Sequence, residues 1–460
     1  MKFEFLWTDY CLFFLVLIAI VGFYRGFKQQ IFRRACHQIL RRRLATVSVI
    51  ILSIFIAIGL LDSIHFKQAT EVNGKTHYST KLFSVLDKLL APVGMQQEKT
   101  YSAPFALHAY SKETRIIDGV PKQVYPRLKY VPENIKSDKQ RDINIMILSL
   151  HSVVKSILIF GLFYGCWLIA YRFFKKRAIS DSIKRSLQNK TLLTTFFTIL
   201  ICTVIITWCY DLSRSYHILG TGKIGQDIFY YTVKSIRTGL VIGTLTTLFM
   251  LPFALLLGMA AGFFGGIIDD IIQYIYTTLS SIPGVLLIAA SVLSIQIYIA
   301  NHPADFPTLA LRADVRLLSL CMILGVTSWT SLCRLLRAET LKLREIDYIQ
   351  AARALGTSHF KIIRLHLLPN VMHIVIIAIV LDFSFLVLAE AVLSYVGVGV
   401  SPMTISWGNM INGARLELAR TPIVWWPILS AFSLMFILVL ASNLFADAVR
   451  DAFDPRNTTA

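Results

Sequence analysis

The chain contains 460 residues, of which 55% are hydrophobic and 16% are charged, and its formal net charge is +19. Soluble domains carry roughly 25% charged residues, so this composition excludes an ordinary soluble protein, and its hydrophobicity excludes a disordered or collagen-like chain. Seven cysteines spread over this length, without metal-ligand or redox spacing, exclude a secreted disulfide scaffold. The composition therefore predicts an all-α, polytopic helical membrane protein.

Nine apolar runs are long enough to cross about 30 Å of hydrocarbon. They lie near residues 10–25, 45–65, 145–171, 192–211, 238–262, 271–298, 316–336, 371–397 and 425–446. The first run is short, but Trp7 and its aromatic neighbours extend it, and no small-residue cleavage site follows Gly26. We therefore expect about nine transmembrane helices, the first of them a retained signal-anchor.

Two loops rich in Lys and Arg predict the orientation of these helices. The loop between the first two runs has no acid and contains Arg25, Lys28, Arg33, Arg34, Arg41, Arg42 and Arg43. The loop between the third and fourth runs has Asp181 against Arg172, Lys175, Lys176, Arg177, Lys184, Arg185 and Lys190. Because cytoplasmic loops accumulate basic residues, we expect both loops in the cytoplasm, the N-terminus outside and the C-terminus inside. The excess of Lys and Arg is therefore explained by the need to orient the helices in a lipid membrane. Nucleic acid is not predicted as a partner.

Residues 67–143 are polar and, in this orientation, lie outside. Five prolines and scattered aromatic residues predict a small external domain or ordered loop. His65, His77 and His108 lack the spacing of metal ligands, so we interpret them as surface or packing histidines. We predict neither a metal site nor a catalytic residue in this segment.

The loop at 337–370 contains two helical segments joined by a turn. Apolar residues recur at helical intervals (Leu341, Ile346, Ile349 and Ala352), Gly356 can adopt the left-handed conformation that ends a helix, and Pro369 limits the second helix. One interpretation is an amphipathic helix lying on the inner leaflet. The small side chains of Ala351 and Ala352, and the ordered helix after the turn, favour docking of another protein.

This loop resembles a motif of a known family. Gln350-Ala-Ala, Gly356 and Leu368-Pro369 have an order and spacing similar to the EAA loop in the membrane subunits of ABC importers, where a short coupling helix sits in a cleft of a cytoplasmic ATPase. Further segments are similar to dipeptide and oligopeptide permeases, namely 388–399, 406–410, 414–415 and 443–456. The resemblance covers about residues 190–456 and contains six of the nine predicted spans.

The resemblance implies a division of the chain and a set of partners. Residues 191–456 would form a type I ABC importer permease core with the coupling loop at 337–370, and residues 1–190 would form an N-terminal extension with about three spans. The implied ATPase-coupling residues are Gln350, Ala351, Ala352, Gly356, Leu368 and Pro369. The implied partners are a second homologous permease subunit, two cytoplasmic ABC ATPase subunits and an external solute-binding protein, all at a bacterial inner membrane.

The sequence departs from the pattern of this family at several positions. Gln350 replaces a Glu and removes a charge, and His366 replaces an Ile, as in many peptide-type members. Gly222 and Gln226 stand where the family has Asp and Arg in the loop 220–227. We therefore expect the ATPase contact to depend more on shape, and the salt bridge of this outer loop to be missing.

Two acidic residues in the eighth span are candidates for the translocation path. Asp382 and Glu390 are eight residues apart, a spacing that returns to within about 80° on a helix. Ionisable residues inside a membrane are costly and mark functional sites by default. They could line a path for a cationic or zwitterionic substrate; alternatively, Glu390 holds two helices together across a subunit interface.

The segment after the eighth span is expected at the outer membrane face. Trp407, Trp425 and Trp426 are typical of an interfacial aromatic belt, and residues 402–415 predict a short external helix. The resemblance implies that this face meets the solute-binding protein. Candidate docking residues are Trp407, Gly408 and Asn409.

No catalytic residue, cofactor or metal ligand is predicted. The segment 220–223 lacks the leading Gly and the Ser/Thr of a phosphate-binding loop, and the chain has no zinc-protease or nucleophile-elbow motif. We therefore expect one transmembrane subunit of an ABC transporter that moves peptides or a related small solute by alternating access, with ATP hydrolysis on separate subunits. Two alternatives stay open: a subunit that serves antimicrobial peptides or polyamines, and a permease-derived membrane receptor or scaffold.

Overall fold

The computed structural model describes residues 2–72, 75–117, 120–175 and 188–453. Its α-helices are α1 (Trp7–Phe27), α2 (Gln30–Arg41), α3 (Arg43–Asp62), α4 (Val85–Leu89), α5 (Ala91–Gly94), α6 (Asp138–Lys175), α7 (Lys190–Ser213), α8 (Ile228–Phe264), α9 (Gly266–Ser281), α10 (Gly284–Asn301), α11 (Leu309–Arg344), α12 (Asp347–Ala354), α13 (His359–Ile362), α14 (Leu368–Val396), α15 (Trp407–Ala414) and α16 (Trp426–Phe453). Its strands are β1 (Lys2–Phe3), β2 (His65–Val72), β3 (Lys75–Ser84), β4 (Glu113–Ile117) and β5 (Val120–Val124). The expectation of a helical membrane protein is confirmed, with a minor strand content at one end.

The bundle has two chemically different ends. We call the end with the strands, residues 214–227 and residues 402–425 the sheet end, and the opposite end, with residues 25–43 and 337–370, the basic end. Part of the second basic loop lies outside the described residues, namely Lys176, Arg177, Asp181, Lys184 and Arg185. The side chain of His77 and the terminal segment after residue 453 are likewise outside the description.

Eight helices among the described residues are long and apolar enough to cross a membrane: α1, α3, α6, α7, α8, α10, α14 with the turns before it, and α16. The sixth predicted span consists of two helices, because the ring of Pro283 holds Ile282 in an extended conformation (φ −83°, ψ 131°) that separates α9 from α10. Helix α11, the seventh predicted span, is 36 residues long but is not one of the eight. The count agrees with the expected nine to within one.

Helices α8 and α11 form the most extensive pair in the bundle. Gly258 and Gly262 of α8 permit this approach, because a Cβ at these positions would lie 2.9 Å from the Cys333 carbonyl oxygen and 2.6 Å from Thr340 Cβ. Buried apolar side chains of α8, α11 and α14 continue the contact, including Met250, Leu324, Trp329, Val371 and Leu393. This packed frame carries the loop 345–370 at the basic end.

Helix α3, which belongs to the predicted N-terminal extension, packs inside this bundle. Phe55 is buried in a cluster with Leu240 of α8 and Met435 of α16. Helix α7, which opens the predicted core, instead packs on α3 and α6 and leaves most of its surface exposed. The boundary at residue 190 stays a prediction, but the contacts join α3 to residues 228–453 and place the α6–α7 hairpin outside them.

The polar segment predicted at 67–143 is an ordered cap on the sheet end. Strands β2 and β3 pair antiparallel, with His65 opposite Ser84. Buried Leu107, Leu128 and Val131 of the cap pack against Leu212 near the end of α7 and against Tyr216 just after it. The short helix predicted within residues 402–415 is observed as α15, and its external position stays a prediction. The Ser406 hydroxyl caps its first turn by accepting from the Asn409 N–H at 3.1 Å.

Candidate functional site

The buried side chain of Ile349 anchors the pair of short helices α12 and α13 at the basic end. Ile349 of α12 is fully buried and packs against Phe263 of α8 and Ile362 of α13. Asn370 at the start of α14 donates from Nδ2 to the Tyr348 hydroxyl oxygen at 2.9 Å. Helix α12 is therefore in contact with both α8 and α14.

Gly356 ends α12 in the left-handed conformation that the sequence predicted, with φ at 75°. The Thr357 N–H donates to the Ala352 carbonyl at 3.1 Å, and the Gly356 N–H donates to the Arg353 carbonyl at 3.0 Å, which is a Schellman motif. The space around a Cβ at this position is open to 4 Å within the described structure. The backbone angle, and not crowding, therefore requires the glycine.

Leu368 and Pro369 begin α14. Pro369 lies in the first turn, where its missing N–H costs no helical hydrogen bond. The preceding residues, Ile363–Leu367, form a π-helical turn. The expectation that Pro369 separates the second helix of the loop from the next span is wrong. The π turn leads directly from α13 into α14, and Pro369 lies in the first turn of α14, so the helical structure is continuous.

The outward side of α12 and α13 is an exposed and partly apolar surface, which we call the coupling surface (Gln350, Ala351, Leu355, Gly356 and Phe360). Leu355 is 85% exposed and Phe360 is 72% exposed. Gln350 is also exposed, and its Nε2 donates to the Glu345 carbonyl at 3.2 Å. Large apolar side chains that are exposed on a loop are typical of a surface that contacts a protein or a membrane.

The structure redistributes the roles of the predicted coupling residues. Ala351 is exposed as expected, whereas Ala352 is half-buried and packs against the cluster that contains Ile349. Leu355 and Phe360 were missed by the sequence analysis. Their signal was available, since both are large apolar residues that flank the predicted glycine turn.

The two acidic residues of α14 lie in different environments. Glu390 is buried, and its Oε1 accepts from the Ser394 hydroxyl at 2.8 Å and from the Ser406 hydroxyl at 2.9 Å. These bonds hold the segment before α15 onto α14 within one chain. Asp382 is only half-buried, and no described residue donates a hydrogen bond to it. The geometry therefore gives Glu390 a structural contact and leaves the Asp382 carboxylate available.

The three predicted docking residues pack against the interior. Trp407 is 1% exposed and donates from Nε1 to the Thr232 carbonyl at 3.0 Å, and Gly408 is buried beside Glu390. Asn409 donates from Nδ2 to the Ser401 carbonyl at 2.8 Å. This corrects the expectation that Trp407 and Gly408 themselves present the docking surface, because their side-chain positions are covered and they shape α15 from below.

A buried charge network joins α1 to the bundle, and the sequence analysis missed it. Asp9 of α1 lies 2.5 Å from Arg237 Nη2 of α8 and 2.7 Å from His65 Nδ1. The Thr8 hydroxyl donates to the Asp314 carboxylate of α11, and the Thr8 N–H donates to the same carboxylate at 3.1 Å. Each of the three charged residues from α1, α8 and α11 is less than a tenth exposed. The signal was available, because each of them lies in or beside an apolar run, where charge is costly.

A second buried cluster links the cap to the loop before α8. His217 Nδ1 lies 2.6 Å from the Asp227 carboxylate, and His217 Nε2 lies 3.7 Å from Glu98 Oε1, a distance for charge attraction and not a hydrogen bond. Burial alone lowers the pKa of His217, but the two carboxylates outweigh it and raise that pKa to about 9. Gly222 and Gln226 carry no charge, so the buried charge cluster of this loop is formed by other residues, namely His217, Asp227 and Glu98.

The His217 cluster predicts a loss of stability in alkaline solution. A histidine whose pKa rises from 6.5 to about 9 on folding contributes its full stabilisation below the lower value and loses it as pH rises through the higher one. We expect the midpoint of thermal unfolding of the purified protein to fall as the pH rises from about 6.5 to about 9. His217→Gln should unfold at a lower temperature at neutral pH and lack this fall. Parallel profiles of the two proteins in thermal scans at constant ionic strength would contradict the assignment.

Comparison with known sequences places the second half of the chain beside transport proteins. Residues 254–459 match the family described as binding-protein-dependent transport system inner membrane component. The chain is 32% identical over 243 residues to a dipeptide transport system permease protein of Lactococcus lactis, an alignment that covers 52% of this chain and 64% of that relative. The chain thus spans less than two thirds of that protein.

Two further relatives are covered more completely. An oligopeptide transport system permease protein of Mycobacterium bovis is 30% identical over 239 residues, which is 52% of this chain and 76% of the relative. A glutathione transport system permease protein of Pectobacterium atrosepticum is 30% identical over 243 residues, which is 53% of this chain and 73% of the relative. The similarity therefore covers about half of this chain.

Proposed function

The chain belongs to the family of inner membrane components of binding-protein-dependent transport systems, the permeases of ABC importers, and on this premise we propose that it is one transmembrane subunit of a peptide ABC transporter. Its partners would be a second homologous permease subunit, two ABC ATPase subunits and a solute-binding protein. ATP hydrolysis takes place on the ATPase subunits, and this chain supplies the moving path through the membrane.

The observation that carries the proposal is the coupling surface. Leu355 and Phe360 are large, apolar and exposed, while Ile349 on the opposite side of the same unit is fully buried. An ATPase that binds the exposed side can therefore pull on the frame formed by α8 and α14 through the buried side. Alternating access needs such a connection, because a rigid contact transmits displacement whereas a flexible loop absorbs it.

The proposed orientation places the basic end in the cytoplasm and the sheet end outside. Arg25, Lys28 and Arg33 helped to set this orientation, and they lie at the same end as Arg344 and Arg353, which were not used to set it. The coupling surface is at that same end, where cytoplasmic ATP is available. The C-terminus is then cytoplasmic and the ordered cap faces the solute-binding protein.

The proposed cargo is a peptide, which the names of the relatives support. The Lactococcus relative is named for dipeptides, the Mycobacterium relative for oligopeptides and the Pectobacterium relative for glutathione. A free peptide carries an amino terminus with positive charge, and the half-buried Asp382 offers a carboxylate within the membrane to such a group. We assign Asp382, and not Glu390, to the translocation path.

Replacement of the two apolar side chains of the coupling surface tests the proposal. Leu355→Asp/Phe360→Asp should fold normally, because both positions are exposed, but should release the ATPase subunits, because a carboxylate is costly in an apolar protein interface. We expect at least about a tenfold weaker retention of ATPase on the purified permease, the effect of roughly 1.4 kcal/mol. Quantitative co-purification in detergent measures this.

A matched control replaces two exposed apolar residues by aspartate at the sheet end. Met95→Asp/Ile116→Asp changes two residues that are 71% and 79% exposed, so the charge and the exposure are comparable. This variant should retain the ATPase subunits at the wild-type level. Equal retention by both double variants would refute the assignment of the coupling surface.

A further inference from the structure

An open apolar groove of about 710 Å³ runs along α1 on the side that faces α3 and α8. Its α1 wall repeats at helical spacing and contains Leu12, Val16, Ala19, Ile20, Phe23 and Phe27. Its other wall contains Ile56 and Leu60 of α3 and Leu240 of α8. Between Leu12 and Phe27 the groove is roughly 22 Å long at 1.5 Å per residue. This exceeds one leaflet of hydrocarbon, about 15 Å.

The two ends of the groove differ in charge. At the sheet end it is closed by Arg237, which is already paired with Asp9. At the basic end the lining residue Tyr24 lies under Lys28, whose Nζ is 4.8 Å from the ring centroid. Phe32 of α2 packs against Phe23 with ring centroids 5.8 Å apart, so α2 begins at the mouth of the groove.

The surroundings of this mouth are strongly basic. Residues 10–61 contain seven Lys and Arg and no Asp or Glu. Arg25, Lys28, Arg33 and Arg34 are exposed, and Asp451 of α16 pairs with Arg42 at the other end of α2. Helix α2 buries Ala35 and Ile39 against α16, which fixes its arginines on the outward side. A positive field at one leaflet attracts anionic lipid headgroups.

We propose that this groove binds an anionic phospholipid of the leaflet at the basic end, with an acyl chain lying along α1 and the phosphate held by Lys28 and its basic neighbours. The groove is lined almost wholly by carbon, which suits an acyl chain. Helix pairs in membranes prefer small residues at their contact, whereas the α1 wall, apart from Ala19, presents Leu, Val, Ile, Phe and Tyr, so a lipid fits the groove better than a partner helix.

The experiment compares lipids retained by the purified full chain in native mass spectrometry. The probes are phosphatidylglycerol and phosphatidylcholine with identical acyl chains, added at equal concentration. The wild-type chain should retain the anionic lipid in preference, and Lys28→Gln should weaken its retention about fivefold, as expected for one basic residue at a membrane surface. Equal retention of the two lipids would overturn the proposal.

A pair of tryptophan variants tests the position of the acyl chain. Ala19→Trp fills the groove, whereas Val21→Trp adds the same side chain on an exposed position of α1 outside it. Loss of phosphatidylglycerol in Ala19→Trp alone supports the site, and equal retention by both variants overturns it. A photo-crosslinker at Ala19 that captures protein and no lipid would also overturn it. The readout is lipid retention and not transport, so it is independent of the proposed transport function.

Discussion

Gly356→Pro is expected to reduce transport to background while the chain still assembles in the membrane. Proline requires φ near −65°, whereas Gly356 has φ at 75°, and proline also lacks the N–H that donates to the Arg353 carbonyl. The turn between α12 and α13 must therefore open, which moves the coupling surface away from its anchor at Ile349. Uptake by vesicles containing the reconstituted transporter measures the loss.

Gly356→Asn is the matched control for this prediction. Asparagine adopts the left-handed conformation and keeps the N–H, and the space around a Cβ at this position is open to 4 Å within the described structure. This variant should keep most of the transport activity. If Gly356→Pro transports as well as Gly356→Asn at equal expression, the turn is not part of the coupling path.

Arg237→Met is expected to be the most destabilising single substitution that we propose. It removes the arginine partner of Asp9 and leaves that buried carboxylate with His65 alone, and breaking a buried ion pair in this way costs about 3–5 kcal/mol. Because α1 meets α8 and α11 at this network, its sheet-end contacts should loosen first. Thermal unfolding in detergent should show a much lower midpoint than that of the wild-type protein.

A second substitution separates lost charge pairing from lost packing. Asp9→Asn/Arg237→Met removes both charges, so it should recover part of the stability lost in Arg237→Met. Lys223→Met serves as the control for removal of a cation, since Lys223 is exposed at the same end. This variant should unfold near the wild-type midpoint. If the double variant is less stable than Arg237→Met, the network is not held by this ion pair.

The predicted spans show how far hydrophobicity alone describes the fold. The apolar runs near 45–65 and 425–446 are found as α3 and α16 within a few residues, because burial in lipid is required of every residue in such a run. The run at 271–298 counts as one predicted span, and it contains Pro283. Its hydrophobicity continues through the break, and only the proline geometry divides it into α9 and α10.

The candidate site was predicted only in part, because local sequence patterns do not determine which distant residues come into contact. Gly356 and the two short helices around it were recognised from local spacing, and the structure confirms the turn. Burial of Ile349 and Ile362 could not be derived, because it depends on Phe263 and Leu367, which lie on other elements. Burial of Trp407 escaped prediction in the same way, since its hydrogen-bond partner is the carbonyl of Thr232.

By itself, the sequence determined the membrane class, nearly all the spans, the basic loops and the hinged pair of helices at 345–370. These properties depend on residues that are neighbours in the chain, where hydrophobic period and turn chemistry act locally. The tertiary structure decided which helices form the frame and which charges are paired. Asp9, Arg237 and Asp314 are more than 70 residues apart in the chain, and only the packing of α1, α8 and α11 brings them into one network. Such pairing is a property of distances in space, which apolar periodicity does not encode.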